Sequence, residues 1–396
     1  MDVTVRNTPL SGKVHIPASK SDAHRALICA ALAARPTEIG LALSSEDIDV
    51  TARCLTALGA GITRTSDALH VTPIAGVVED PLLDCGESGS TLRFLLPVAA
   101  AVCARSRFTG RGKLPQRPAG QLLYAMCANG CSASSNTLPL ALHGRLRAGV
   151  YKIPGDVSSQ FISGLLMALP GLGGNSRIVL TTPLESAAYV QMTVNTLQKF
   201  GVRIDNTPEG YGIPGGQRFA SPGTYRVETD WSGAAFFVVA NALGGNVAIG
   251  GLDPASSQPD KAIAALATAL PAQLDVSAFP DLFPILAIRA CAQNGDTLLH
   301  GARRLRIKES DRIRETCRLI HALGGRAEER PDALLVHGTG KLHGGACHSA
   351  GDHRIAMSAA IAAAICETPV TIKGAQAAYK SFPGFWAEIN TLSKGQ

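Results

Sequence analysis

The sequence predicts an α/β protein with mixed sheets, organised as two halves of three βαβ-type repeats each. Three observations carry that expectation. The first is length: 396 residues exceed what one hydrophobic core ordinarily serves, so two domains are expected. The second is composition, since 46% hydrophobic and 17% charged residues describe a globular chain and exclude a disordered or collagen-like one. The third is a recurring unit of amphipathic helix, glycine turn and short β-like segment. It reads VTARCLTALGAGITRT around Gly59, QLLYAMCANGCSAS around Gly130 and VQMTVNTLQKFGVRID around Gly201, and both intervals are 71 residues.

Each of these glycines follows the last apolar-periodic residue, where a helix C-cap favours a left-handed residue. A degenerate copy, IAALATALPAQLDV, turns near Pro271. A later one, IRETCRLIHALGGRAEE, turns at Gly324, and a last helix from Gly384 to Leu392 begins a sixth. The stretch Pro208 to Pro222 (PEGYGIPGGQRFASP) reads as a linker near the boundary between halves. The start, MDVTVRNTPLSGKVHIP, alternates like a strand and lacks a signal peptide's apolar core, so a cytoplasmic protein is expected.

Several function classes are excluded. The longest apolar runs, Ala234 to Leu243 and Ile355 to Ile365, fall short of the roughly 18 residues that span a bilayer. The ten cysteines are scattered singly without a CxxC, which reads as free buried thiols rather than a disulfide scaffold. His343, Cys347, His348, Asp352 and His353 lack paired zinc-ligand spacing, so no metal is expected. The net charge is +6, and Arg outnumbers Lys 26 to 11. A guanidinium captures phosphate or carboxylate by paired donors, and aromatics are only 5%, so small anionic ligands fit better than nucleic acid.

Anion-seeking residues gather at predicted helix starts, where free N–H groups and the helix dipole favour negative charge. PASKSDAHRALICAALA carries Lys20, Ser21 and Arg25, and DCGESGSTLRFLLP carries Gly89 and Arg93. LPQRPAG adds Arg117, GDVSSQFISGLLM adds Ser158, Ser159 and Gln160, and LESAAYVQM adds Ser186 and Tyr189. In the second half FPDLFPILAI holds Asp281, and RLRIKESDRIRET places Lys308, Glu309 and Arg312 together. Lys308 and Arg312, four apart, are expected to share a helical face. SAGDHRIAMSAA and AYKSFPGFW contribute Arg354 and Lys380. Neither a GxxxxGK[ST] loop nor a strand-borne GxGxxG is present, which argues against nucleoside triphosphates and dinucleotides.

Those segments, with QRP, IKESDR and YKSFPGF, are collinear from Val14 to Phe385, and the chain thereby resembles the enolpyruvylshikimate-phosphate synthase family. The resemblance implies a two-domain enolpyruvyl transferase fold, an inside-out α/β barrel whose domains each hold three βαβαββ repeats. It implies one domain over 19–226, the other over 1–18 with 227–396, and an active site in the cleft between them that closes on its ligands. The implied reaction moves the enolpyruvyl group of phosphoenolpyruvate to the 5-hydroxyl of shikimate 3-phosphate and releases phosphate, without a cofactor. By similarity, Lys20, Ser21, Arg25, Ser158, Ser159, Gln160, Ser186, Tyr189, Asp281 and Lys308 bind shikimate 3-phosphate. Lys20, Gly89, Arg93, Arg117, Gln160, Arg312, Arg354 and Lys380 bind phosphoenolpyruvate. Asp281 is the implied base, Glu309 the acid, and Lys20 shares the proton work or holds phosphate.

Two positions depart from the family pattern. Glu87 stands where many members have Asn and is expected to point away from the phosphate pocket, and Arg304 replaces a common Asn. Two other readings compete. Transfer to UDP-N-acetylglucosamine would want Lys-Asn where this chain has Lys20-Ser21, and usually a Cys in the loop GRGKLPQRP. A non-catalytic anion-binding module would gain nothing from Asp281 and Glu309 inside a basic site. A monomer is expected.

Overall fold

The computed structural model describes residues 1–41 and 43–393. The backbone enters a first unit at Lys20 and leaves it at Val227, and a second unit is made of Met1–Ser19 with Glu228–Gln396. The two segments flanking these crossings pair with each other, Ser19 N–H to Glu228 O at 2.7 Å and Asp230 N–H to Pro17 O at 3.0 Å.

The first unit contains α1 (Lys20–Leu32), α2 (Glu46–Ala57), α3 (Gly89–Val102), α4 (Gly120–Cys127), α5 (Ser159–Ala168) and α6 (Ala187–Lys199). Its repeat is clearest around α3 and α4. Strand Leu82–Asp84 leads through α3 to Arg105–Thr109, which lies parallel to it, and α4 then leads to the antiparallel hairpin Ser132–Ala133 and Leu140–His143. The same βαβαββ order recurs through α5 and α6. The remaining copy is closed by the unit's last strand, Thr224–Arg226, which pairs parallel to Thr37–Gly40 between α1 and α2.

The second unit contains α7 (Trp231–Ala242), α8 (Ile263–Leu266), α9 (Phe283–Cys291), α10 (Arg312–Ala322), α11 (His353–Ala362) and α12 (Phe385–Leu392). A full four-stranded copy surrounds α9 and α10. The sheet beside α11 has three strands, completed by Asp2–Val5, and the sheet beside α7 has two. The degenerate copy at Pro271 has an α-helix of only four residues, α8.

Helices that open a repeat are buried on nearly every side and lie inside; in α1 every residue from Asp22 to Ala31 is buried. Strands alternate burial, as in Val150–Ile153, so sheets form the outer layer. Inner helices approach closely where side chains are small. A Cβ on Gly164 of α5 would lie 2.5 Å from the Arg93 carbonyl of α3, so Gly is required there. The repeat-marking Gly59, Gly130, Gly201 and Gly324 all have φ between +72° and +101°, the left-handed C-cap that the periodicity predicts.

Three expectations need correction. Pro208–Pro222 is no linker: Gly210–Ile213 is a strand of the third sheet, and the chain crosses between units only after Val227. Cys127 is exposed, because it ends α4 on the solvent side; the other nine thiols are buried. Lys308 and Arg312 share no helical face, because Asp311 caps α10 by accepting from the Arg314 N–H and the helix begins only at Arg312.

Candidate active site

In the first unit, helix N-termini gather the predicted anion ligands. Lys20 opens α1, and its ammonium lies 3.0 Å from Asp47 of α2. Gly89 and Ser90 open α3 behind the Ser88 cap, and Ser158 caps α5 by accepting from the Gln160 N–H. Gln160 ties α5 to α3: its amide donates to Ser90 Oγ at 2.8 Å and its oxygen accepts from Arg93 at 2.8 Å. Arg93 also reaches the Pro118 carbonyl, and Arg117 lies over Gly89, where an added Cβ would come within 2.7 Å of the Arg117 guanidinium. Ser186 precedes α6 with φ +53°, a strained backbone for a side chain that the sequence already marks.

Arg25 is placed differently from a ligand held at a pocket rim. It is 3% exposed, and donates to Thr193 Oγ1 at 2.7 Å, the Tyr189 carbonyl at 2.8 Å and the Ser21 carbonyl at 2.6 Å. It therefore joins α1 to α6 beside Ser21 and Tyr189. Glu87 lies against Gly112, whose Cβ would meet its carboxyl at 2.7 Å.

In the second unit, Arg312 is the centre. Its side chain is 1% exposed and meets three carboxylates: Asp352 Oδ2 at 2.8 Å, Asp281 Oδ1 at 2.7 Å and Glu309 Oε2 at 2.8 Å. Asp281 is shared, because its Oδ2 accepts from Arg354 at 2.9 Å. Burial alone would raise the Asp281 carboxyl, but the charges of Arg354, Lys308 and Arg312 hold it well below the usual carboxylate range. Burial likewise opposes the Arg312 cation, and Asp352, Glu309 and Asp281 overcome it. Asp281 keeps about a quarter of its side-chain surface exposed, at 24%, so its carboxylate remains reachable. Arg304 donates instead to the Ser277 carbonyl at 2.9 Å, and Lys380 ends the turn Ala375–Lys380, half-buried.

Sequence reading missed the supports. In the sequence Asp352 belongs to the metal-like group and precedes a buried helix, with no role attached; it is fully buried, caps α11 and anchors Arg312 together with the Ser310 hydroxyl. Its place directly before an apolar helix is the cap signal that would have found it. Asp47 had no local signal, being 27 residues from Lys20. Among the described residues no group of three His, Cys, Asp or Glu side chains is arranged to hold a metal.

Comparison with known proteins agrees with this arrangement of elements. The sequence profile of EPSP synthase (3-phosphoshikimate 1-carboxyvinyltransferase) matches residues 5–272 and 266–389. The 3-phosphoshikimate 1-carboxyvinyltransferases of Clostridium kluyveri and Clostridium novyi are each 39% identical, over 98% and 99% of this chain and 97% of their own length. The solved EPSP synthase of Acinetobacter baumannii superposes with a TM-score of 0.81 at 24% identity, covering 99% of this chain and 98% of that one.

Proposed function

The chain belongs to the EPSP synthase family, and from that premise we propose that it transfers enolpyruvyl from phosphoenolpyruvate to the 5-hydroxyl of shikimate 3-phosphate. The product feeds aromatic amino-acid biosynthesis, and a cytoplasmic monomer is the form we infer. The observation that carries the reading is Asp281 held between Arg312 and Arg354.

In the reaction, the substrate hydroxyl oxygen adds to C2 of phosphoenolpyruvate while C3 gains a proton and becomes a methyl group. C3 then loses a proton, the bond from C2 to the phosphate oxygen breaks, and phosphate leaves. Two carboxyl groups suffice for the proton traffic: Asp281 takes the hydroxyl proton, and Glu309 serves C3, with Lys20 as the alternative donor. A carboxylate clamped by two guanidinium groups is a weak base. An incoming anion gives Arg312 and Arg354 another partner, loosens their hold on Asp281, and makes it more basic when substrate is present. The same cations then stabilise charge on the departing phosphate. Lys20, Arg93, Arg117, Gln160 and the N–H groups around Gly89 supply the other anion contacts, while Ser21, Arg25, Ser158, Ser159, Ser186, Tyr189 and Lys308 serve shikimate 3-phosphate. Lys380 completes the phosphoenolpyruvate set.

Asp281→Asn tests the assignment. It should lower phosphate release in the presence of both substrates by at least about a hundredfold, the scale of a lost general base, while phosphoenolpyruvate still binds. Near-normal turnover would remove Asp281 from the chemistry.

A further inference from the structure

The carboxyl of Asp260 takes no part in the reaction just described, yet it is built into the same cluster. It sits in the turn Pro259–Ala262 and is 3% exposed. The Ser232 hydroxyl, in the first turn of α7, donates to Asp260 Oδ2 in a short contact. The same hydroxyl accepts from Arg354 Nη2 at 3.2 Å, and that nitrogen also donates to Asp281 Oδ2 at 2.9 Å. One nitrogen of a guanidinium proposed to bind substrate is thus held between Asp281 and a Ser232–Asp260 relay.

A hydroxyl carries one proton. With that proton directed to Asp260, the lone pairs of Ser232 face Arg354, so the carboxylate decides which way the hydroxyl points. The charged groups facing Asp260 are Asp281 and Asp230, of like sign, and Arg354, of opposite sign. Burial is the largest influence and, with Asp281, raises its carboxyl to about 6 against the opposition of Arg354 and the Ser232 bond. Arg354 is the cation in this set, and an anion that takes up its charge removes that opposition.

We propose that Asp260 is a positioning residue for anion binding: through Ser232 it holds Arg354, and it takes a proton from solvent when an anion occupies that guanidinium. The inference rests on the reading of Arg354 as a phosphoenolpyruvate ligand. It assigns a purpose to a buried acid that a purely basic pocket would not need.

Titration calorimetry of the full chain with phosphoenolpyruvate tests it, run at pH 7 in two buffers of different ionisation enthalpy. Such a pair reads the protons exchanged on binding. The ligand's own titration is common to every variant, so a difference between wild type and Asp260→Asn belongs to the protein. Wild type should take up a measurable fraction of a proton more than Asp260→Asn. The Michaelis constant for phosphoenolpyruvate should rise about three- to tenfold in Ser232→Ala, an effect of up to about 1.4 kcal/mol, with turnover little changed, and should not rise in Asp260→Asn, which carries the neutral form that anion binding favours. Ser232→Ala leaves the acid in place, so it tests the relay even if the Asn variant folds poorly. Equal proton counts in wild type and a folded Asp260→Asn would overturn the proposal, as would an unchanged Michaelis constant in Ser232→Ala. Arg354→Lys separates the underlying reading: unchanged phosphoenolpyruvate affinity there removes the anion site and the proposal with it. Weakened affinity there with equal proton counts in the first comparison removes the Asp260 role alone.

Discussion

Arg312 shows how one side chain combines structure with chemistry. Its guanidinium fork satisfies Asp352, Asp281 and Glu309 at once, a geometry that the point charge of Lys cannot reproduce. Replacing Arg93, Arg117 or Arg354 by Lys should lower activity at least about tenfold, or roughly 1.4 kcal/mol. Arg312→Lys should cost more and also lower the melting temperature, because it strands the fully buried Asp352. Steady-state assays with thermal melts check this, and full activity in two of the four variants contradicts the assignment. The RLRIKESDRIRET segment was legible only in part. Its bland half is solvated pairing, seen in Arg306 with Asp311 and Glu329 at 2.8 Å each and Arg318 with Glu315 at 2.9 Å. Its functional half needs Asp281 and Asp352, 31 and 40 residues away from Arg312, which a single sequence does not connect.

At the scale of elements, the N-terminus of α3 illustrates both the reach and the limit of motif reading. GESGSTLR marks a phosphate-ready helix start, and α3 does begin at Gly89. Gly89 has no left-handed φ, so a turn requirement does not explain it. What an added methyl would meet is the Arg117 guanidinium, at 2.7 to 2.9 Å. Gly89→Ala should therefore displace Arg117, raise the Michaelis constant for phosphoenolpyruvate several-fold and leave shikimate 3-phosphate binding and the melting temperature nearly unchanged. Equal loss for both ligands would contradict this. The same helix start is held from behind by a buried chain that no motif announces. His24 of α1 bonds Thr51 of α2 at 2.7 Å, Thr51 bonds Thr91 at 2.6 Å, and Thr91 donates to the capping Ser88 at 2.8 Å. Burial pushes the His24 imidazole down to about 3, with Lys20 and Arg25 adding to the fall and Asp47 opposing it. The folded chain thus keeps His24 neutral, whereas an unfolded histidine takes a proton near 6.5. Its stabilising contribution is complete above that pH and declines as pH falls toward 3, by at most about 1.4 kcal/mol per pH unit. Melting temperatures between pH 7.5 and 4.5 should fall more steeply in wild type than in His24→Asn. Parallel curves would mean that another group governs acid stability.

For the whole molecule, the repeat was legible because a helix that ends in a left-handed turn all but demands glycine, so its period survives in the text. Gly244 after α7 has the same positive φ, +96°, but escaped notice because it ends a repeat-opening helix and breaks the 71-residue spacing. The reduced sheets of the second unit and the strand pairing of Asp2–Val5 with Val370–Lys373 were not legible, since partners lie at opposite ends of the chain. The motifs pointed to a reaction more sharply than to the supports behind it. Enolpyruvyl transfer to a specific acceptor is the central claim, and acceptor-dependent phosphate release measures it most directly. The full chain, supplied with phosphoenolpyruvate, should release phosphate with shikimate 3-phosphate at a turnover of about 1 per second or more, within the usual enzyme range. It should release none with UDP-N-acetylglucosamine or with phosphoenolpyruvate alone. Release with the sugar nucleotide, or none with shikimate 3-phosphate, would contradict the account.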